Sequence, residues 1–171
     1  EDGIEVKVHP MLIPNNHPLA NVNDAFNAVF VHGKAMDDAM FMGRGAGQMP
    51  TASAVVGDII DVCRNIVHDS CGRIGCCCYK NLEVKDITDT KSKFFLRLEV
   101  ADKQGVLANI ASVLGNSGVS IAQVVQKSGK DGVAELVIIT AEVLEKNFND
   151  AMAVFKGLSA VKNIAGVIRV Y

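Results

Sequence analysis

Apolar residues recur at two different spacings along this chain, and the change between them marks its elements. Phe94, Leu96, Leu98 and Val100 alternate with Phe95, Arg97 and Glu99, the period of a strand with one buried face. A loop follows at Asp102-Lys103-Gln104-Gly105. Val106, Leu107, Ile110, Val113 and Leu114 then form a helical stripe, closed at Gly115 or Gly118. Residues 119–127 read as a strand, Gly129-Lys130-Asp131-Gly132 as a hairpin turn and residues 133–140 as a third strand. Leu144, Phe148, Ala151, Met152, Phe155 and Leu158 make a second amphipathic helix, and residues 164–170 a last strand. The order βαββαβ predicts a ferredoxin-like plait, an antiparallel sheet with both helices on one face. That order alone fits many functions.

The first part of the chain has a different rhythm. Residues 4–8, 28–31 and 39–42 read as strands, with His32-Gly33-Lys34 turning the second towards the third. Asn15-Asn16-His17-Pro18 is a loop by composition. Ala52, Val55, Val56, Ile59, Cys63, Ile66 and Val67 share one face of a predicted helix over 50–68. Pro50 suits its first turn, and Thr51 or Ser53 is a candidate cap. The division expected is 1–69, a linker over 70–92, and 93–171, with an α+β fold overall.

A chain of 171 residues supports one ordinary domain or two small ones. Seventeen basic against nineteen acidic residues leave no electrostatic footprint for nucleic acid. No uninterrupted apolar run is long enough to span a membrane, and no signal peptide is visible. The chain opens on Glu1 in a strand-like stretch, which suggests a start inside a larger protein.

Candidate chemistry begins at Gly43-Arg44-Gly45-Ala46-Gly47, where a strand runs through a glycine loop into a helix N-terminus. Such a turn presents backbone N–H groups and a positive dipole end to a polar ligand, and serves equally as a tight packing turn. The G-x-G-x-G spacing is not the dinucleotide fingerprint. The ordered run VHPMLIP, HPLA, NAVFV and GRGAG-x-x-PTASAVVGD closely resembles the end of the catalytic region of homoserine dehydrogenase over residues 1–67. By that resemblance the parent enzyme interconverts homoserine and aspartate semialdehyde with NAD(P), on the route to threonine and methionine. Gly43, Gly45, Ala46, Gly47, Pro50 and Thr51 would then line its cofactor and active-site cleft. The family's dinucleotide fold and its catalytic lysine and aspartate fall upstream of Glu1, and Lys34 matches no family motif. The resemblance therefore implies no catalytic residue here, no tightly held cofactor and no dehydrogenase activity from this piece alone.

The run FFLRLEVADKQGVLANIASVLGNSGVSI resembles an ACT domain, the amino-acid-sensing module of many biosynthetic enzymes, over residues 93–171. Asp102, Gly105, Val106 and Leu107 match the family's D-x-x-G-V-L loop, with Gln104 where a proline often stands. The resemblance implies an amino-acid effector, threonine by pathway logic, held by feedback. Asp102 would meet its ammonium group, and the Val106 and Leu107 amides its carboxylate. Ser120, Ile121 and Gln126 match a second family strip that can come from a partner subunit. The bland alternatives are that Asp102 merely caps the helix and that the domain only holds subunits together.

His9, His17 and His32 lie in loops or turns without metal-ligand spacing, so no metal is expected. Cys63, Cys71 and Cys76-Cys77-Cys78 are odd in number and contain no C-x-x-C, which reads as reduced cytoplasmic thiols. The first part, without whatever covers its sheet, should self-associate, so a homo-oligomer, most simply a dimer, is expected. An independent enzyme is disfavoured, because no nucleophile–base or acid pair is recognisable.

Overall fold

In chain order the elements are β1 (Met11–Leu12), β2 (Phe26–Gly33), β3 (Asp37–Arg44), α1 (Gln48–Val67), β4 (Lys91–Ala101), α2 (Val106–Asn116), β5 (Ile121–Lys127), β6 (Val133–Thr140), β7 (Val143–Leu144), α3 (Glu145–Gly157) and β8 (Val161–Val170). The structure is a computed structural model that describes residues 3–72, 75, 80–127, 129 and 131–171. It divides into two compact units, Ile13–Asn81 and the combination of Glu1–Leu12 with Leu82–Tyr171.

The second of these units contains the plait. Its sheet runs β1-β8-β4-β6-β5, with β8, β4, β6 and β5 antiparallel and β1 added in parallel at the β8 edge. The alternation in β4 buries Phe94, Leu96, Leu98 and Val100, which meet Ala134, Leu136 and Ile138 of β6 on the same face. Val106, Ile110 and Leu114 of α2 and Phe148, Ala151 and Phe155 of α3 close that face. Where the β4–β6 ladder ends, the buried Thr140 hydroxyl accepts the Phe94 N–H at 2.9 Å. Of the two glycines expected to close α2, Gly118 does so. It takes a φ of +72°, and Val119 N donates to Leu114 O and Gly118 N to Gly115 O. Asp131-Gly132 forms a turn ahead of β6, whereas Lys130 of the expected hairpin turn lies outside the described residues.

Several expectations need correction. Residues 4–8 form no strand, because only Ile4 bridges to Val84 and the Val8 side chain is fully exposed. The strand forms instead at Met11–Leu12, where the β8 edge offers unpaired backbone groups opposite Arg169 and Val170. The stretch 3–12 therefore packs with the C-terminal unit rather than with 13–69. Part of the expected linker is structured as well. Residues 82–90 carry the Val84 bridge and a 3-10 turn at Ile87–Asp89, and Thr90 is buried.

Glu145 is the buried charge of this unit, at 3% exposure. Burial pushes its carboxyl up, but hydrogen bonds from Arg169 and Ser92 and the charges of Arg169 and Lys7 outweigh that and hold it below its ordinary range. A carboxyl held low in the folded chain contributes stability that is present above its unfolded pKa and lost as pH falls through the folded one. The urea midpoint should thus hold from about pH 7 to about pH 5 and drop in more acid solution. Glu145→Gln should flatten that acid limb, and an unchanged limb would count against the assignment.

The Ile13–Asn81 unit comprises the β2–β3 hairpin and α1, with register from Phe26–Arg44 to Gly33–Asp37. Among its described residues no hydrophobic one is buried. Every apolar residue expected on one face of α1 is exposed, including Ile59 at 56% and Val67 at 78%. A two-stranded hairpin and one helix are marginal by themselves in water, so this surface needs a covering partner.

Candidate functional site

The C-terminal unit places a cleft of about 310 Å³ where β4 leads into α2. Asp102, Lys103, Gln104 and Gly105 form one wall, Val106 and Leu107 the helix side, and Gln126 reaches in from β5 over a floor of Val100 and Leu136. The loop is held by its own backbone. Asp102 N donates to Gly132 O at 2.9 Å and Lys103 N to Ala101 O at 2.9 Å. Gly105 is the N-cap with φ +82°, a left-handed conformation that costs other residues roughly 1–2 kcal/mol. No side chain caps α2, so Asp102 is left to face the cleft, and the alternative that it merely caps the helix fails.

The amide expectations divide. Val106 N turns back to Lys103 O at 3.4 Å, whereas among the described residues the Leu107 and Ala108 amides take no backbone acceptor from the loop. The first-turn donors are thus Leu107 and Ala108 rather than Val106 and Leu107. The cleft gathers Asp102, Gly105, Val106, Leu107 and Gln126. Ser120 and Ile121 are not part of it. They lie at the opposite end of β5, with Ser120 O accepting Ala141 N and Ile121 paired with Thr140. Lys103 lines the cleft and was missed. Its position between Asp102 and Gln104 carries no signal beyond that of an ordinary loop.

The arrangement suits a small zwitterion. Asp102 supplies the negative end, the α2 N-terminus and Lys103 the positive end, and Gln126 a neutral amide for a polar side chain.

The glycine loop of the other unit forms an open concavity of about 820 Å³. Gly45, Ala46, Gly47, Gln48, Thr51, Ala52, Val55 and Val56 line it, and none of them is charged. A Cβ at Gly45 would meet the Asn27 amide, which would have to turn aside, and the Gly45 N–H donates to Ala25 O at 3.0 Å. Gly47 has φ +127° and is itself the N-cap. The helix begins at Gln48, two residues before the expected start, so Thr51 and Ser53 lie inside it and cap nothing. The local cause is the glycine, which makes the sharp turn without a side-chain cap. Gly43 and Pro50 do not line the concavity. Gly43 pairs with Asn27 in the hairpin, and the Pro50 ring sits against Gly47. An uncharged, small-residue wall fits the flat face of a ring and offers no cation for a diphosphate. Arg44 is turned instead over the Phe26 ring at 5.0 Å.

Among the described residues no group of His, Cys, Asp and Glu could hold a metal ion, and no helix is long and apolar enough to cross a membrane. His32 Nδ1 lies 2.7 Å from Asp38 Oδ1 on the exposed hairpin, and His17 packs on Phe30. Cys63 and Cys71 are exposed free thiols, and Cys76-Cys77-Cys78 lies outside the described residues.

Comparison with known proteins finds two families along the chain. Residues 2–60 match the homoserine dehydrogenase family, and residues 88–169 match the ACT domain family. Homoserine dehydrogenase of Corynebacterium glutamicum is 41% identical over 170 residues, covering 99% of this chain and 38% of that protein. The Pseudomonas aeruginosa enzyme is 37% identical, covering 99% and 41%. A crystal structure of a homoserine dehydrogenase from Thiobacillus denitrificans superposes with a TM-score of 0.87 at 37% identity, over 100% of this chain and 40% of its own. The chain thus spans about two fifths of the length of the curated relatives it matches.

Proposed function

Because this chain belongs to the homoserine dehydrogenase family, as a C-terminal part of that enzyme with its ACT domain, we propose that it senses an amino acid for a dehydrogenase. The parent reaction is the NAD(P)-dependent interconversion of L-homoserine and L-aspartate 4-semialdehyde in threonine and methionine synthesis, a cytoplasmic process. NAD(P), when bound, supplies the hydride acceptor or donor. Gly45, Ala46, Gly47 and Thr51 would then form one wall beside its ring, while Gly43 shapes the hairpin behind them and Pro50 buttresses Gly47. That wall brings no acid–base pair of its own, so the chain alone turns over no homoserine.

The observation that carries the sensor reading is the cleft with Asp102 at one side and the uncapped amide of Leu107, in the first turn of α2, at another. Threonine fits this polarity: ammonium to Asp102, carboxylate to the α2 N-terminus, hydroxyl within reach of Gln126. Titrating labelled chain with threonine should shift the amide resonances of Gly105, Leu107 and Gln126 together by nuclear magnetic resonance. Shifts scattered away from the cleft, or none, would refute this placement.

The second reading, a subunit-joining module, draws on β5, which is the free edge of the sheet with Val124 and Val125 exposed. Antiparallel pairing of β5 with β5 of a second copy brings the Ser120–Ile121 end of one strand beside Gln126 of the other, and so beside its cleft. The two readings are therefore compatible, and both expect a dimer. Light scattering at micromolar concentration should give twice 18.2 kDa, and a monomer would contradict the shared edge.

A further inference from the structure

Glu145, at the start of α3, is tied to more of the chain than its own element. Its N–H donates to Thr90 O at 2.9 Å. Its Oε1 accepts from Ser92 Oγ at 3.0 Å and Arg169 Nε at 2.6 Å, and its Oε2 from Arg169 Nη2 at 2.8 Å. Arg169 is the residue that β8 pairs with Met11, and Tyr171 N donates to Leu12 O at 2.9 Å. Lys7 Nζ lies 3.4 Å from both the Lys91 carbonyl and Ser92 Oγ, and 3.3 Å from Glu5 Oε2. Ile4 N donates to Glu83 O and Lys85 N to Ile4 O, both at 2.9 Å.

One buried carboxylate thus bonds Ser92, which ends the segment leaving residues 13–81, and Arg169, the β8 residue whose backbone pairs with Met11 of the segment entering them. Neither segment is anchored by apolar burial. Val6, Val8, Met11, Leu12 and Val84 are all exposed, and β1 is two residues long. Backbone pairing that short is weak without a buried polar anchor.

We propose that Glu145 is a latch that fastens residues 4–12 and residues 83–92 to the C-terminal unit at the same time, so that the two segments open together. If the chain acts as proposed above, this latch ties both ends of the catalytic-side segment to the effector-binding unit. The latch itself does not depend on that reading, because it is tested without ligand or activity.

The test is hydrogen exchange by mass spectrometry on the full chain, comparing wild type, Glu145→Gln and Ser92→Ala. In Glu145→Gln the amide of residue 145, which donates to Thr90 O, and that of Tyr171, which donates to Leu12 O, should exchange about tenfold faster or more, as loss of a charged hydrogen bond implies, while β6 amides keep their rates. Acceleration at one of these two amides alone, or at neither, would overturn the latch. Should Glu145→Gln loosen β6 as well, Ser92→Ala decides. It removes the hydroxyl that joins the two segments, so both must accelerate together, and acceleration of only one overturns the proposal.

Discussion

Arg169→Met is expected to destabilise the C-terminal unit by about 3–5 kcal/mol in urea unfolding. The guanidinium holds the Glu145 carboxylate with two short hydrogen bonds, and the acid is only 3% exposed. Without Arg169 that carboxylate keeps Ser92 Oγ and the field of Lys7. Neither replaces a bidentate partner for a carboxylate that is itself buried. Arg169 also lies over the Phe94 ring at 5.7 Å, so its stem contributes packing that methionine partly retains. The charge is therefore the part removed. The pair Arg169→Met with Glu145→Leu should recover most of the loss, because a buried ion pair and an apolar pair of similar volume are often equal in stability. A single substitution costing less than about 1 kcal/mol would show that water reaches Glu145.

Phe155→Ala is expected to cost a similar amount, about 3–5 kcal/mol. Phe155 is fully buried beneath the sheet near the end of α3, and its ring meets the residues that also seal α2. A close-packed interior relaxes only partly around such a loss, so much of the cavity remains. Ile59→Ala provides the contrast. Ile59 is 56% exposed on α1 in the other unit, and its loss should leave the transition of the C-terminal unit where it is. Equal costs at the two positions would mean that the units unfold as one.

The difference between these residues also explains what the sequence could convey. The plait was legible because its signals are local. The alternation in β4 is fixed by one buried face, the α2 and α3 stripes by contact with that face, and Gly118 by the left-handed turn that ends a helix. The hairpin and α1 were legible for the same reason, although α1 shows its apolar stripe to solvent. What remained illegible depends on pairing between distant segments. Ile4, Val6 and Val8 alternate like a strand, yet pairing goes to Met11–Leu12, and no local pattern marks where an edge at the far end of the chain will accept a partner. Lys7, Ser92, Glu145 and Arg169 carry no common motif, since only the fold brings them together.

The candidate cleft was legible in outline and wrong in detail. The D-x-x-G-V-L loop marked its place. Which amides stay free was decided by Val106 N turning back to Lys103 O, a choice made by the loop's backbone and not by residue type. Gln126 joined the cleft within one chain, whereas Ser120 and Ile121 did not, because a strand separates its two ends. At the glycine loop, the hydroxyls of Thr51 and Ser53 are the usual kind of cap, and Gly47 takes the position through a conformation that only glycine adopts readily.

The measurement to make first is titration calorimetry of this chain with threonine, with isoleucine and methionine as comparisons, repeated on Asp102→Ala. A sensing cleft predicts saturable heat with threonine in the wild type and its loss in Asp102→Ala. No heat with any of the three, or undiminished threonine binding in Asp102→Ala, would contradict it and leave the C-terminal unit as a subunit-joining module.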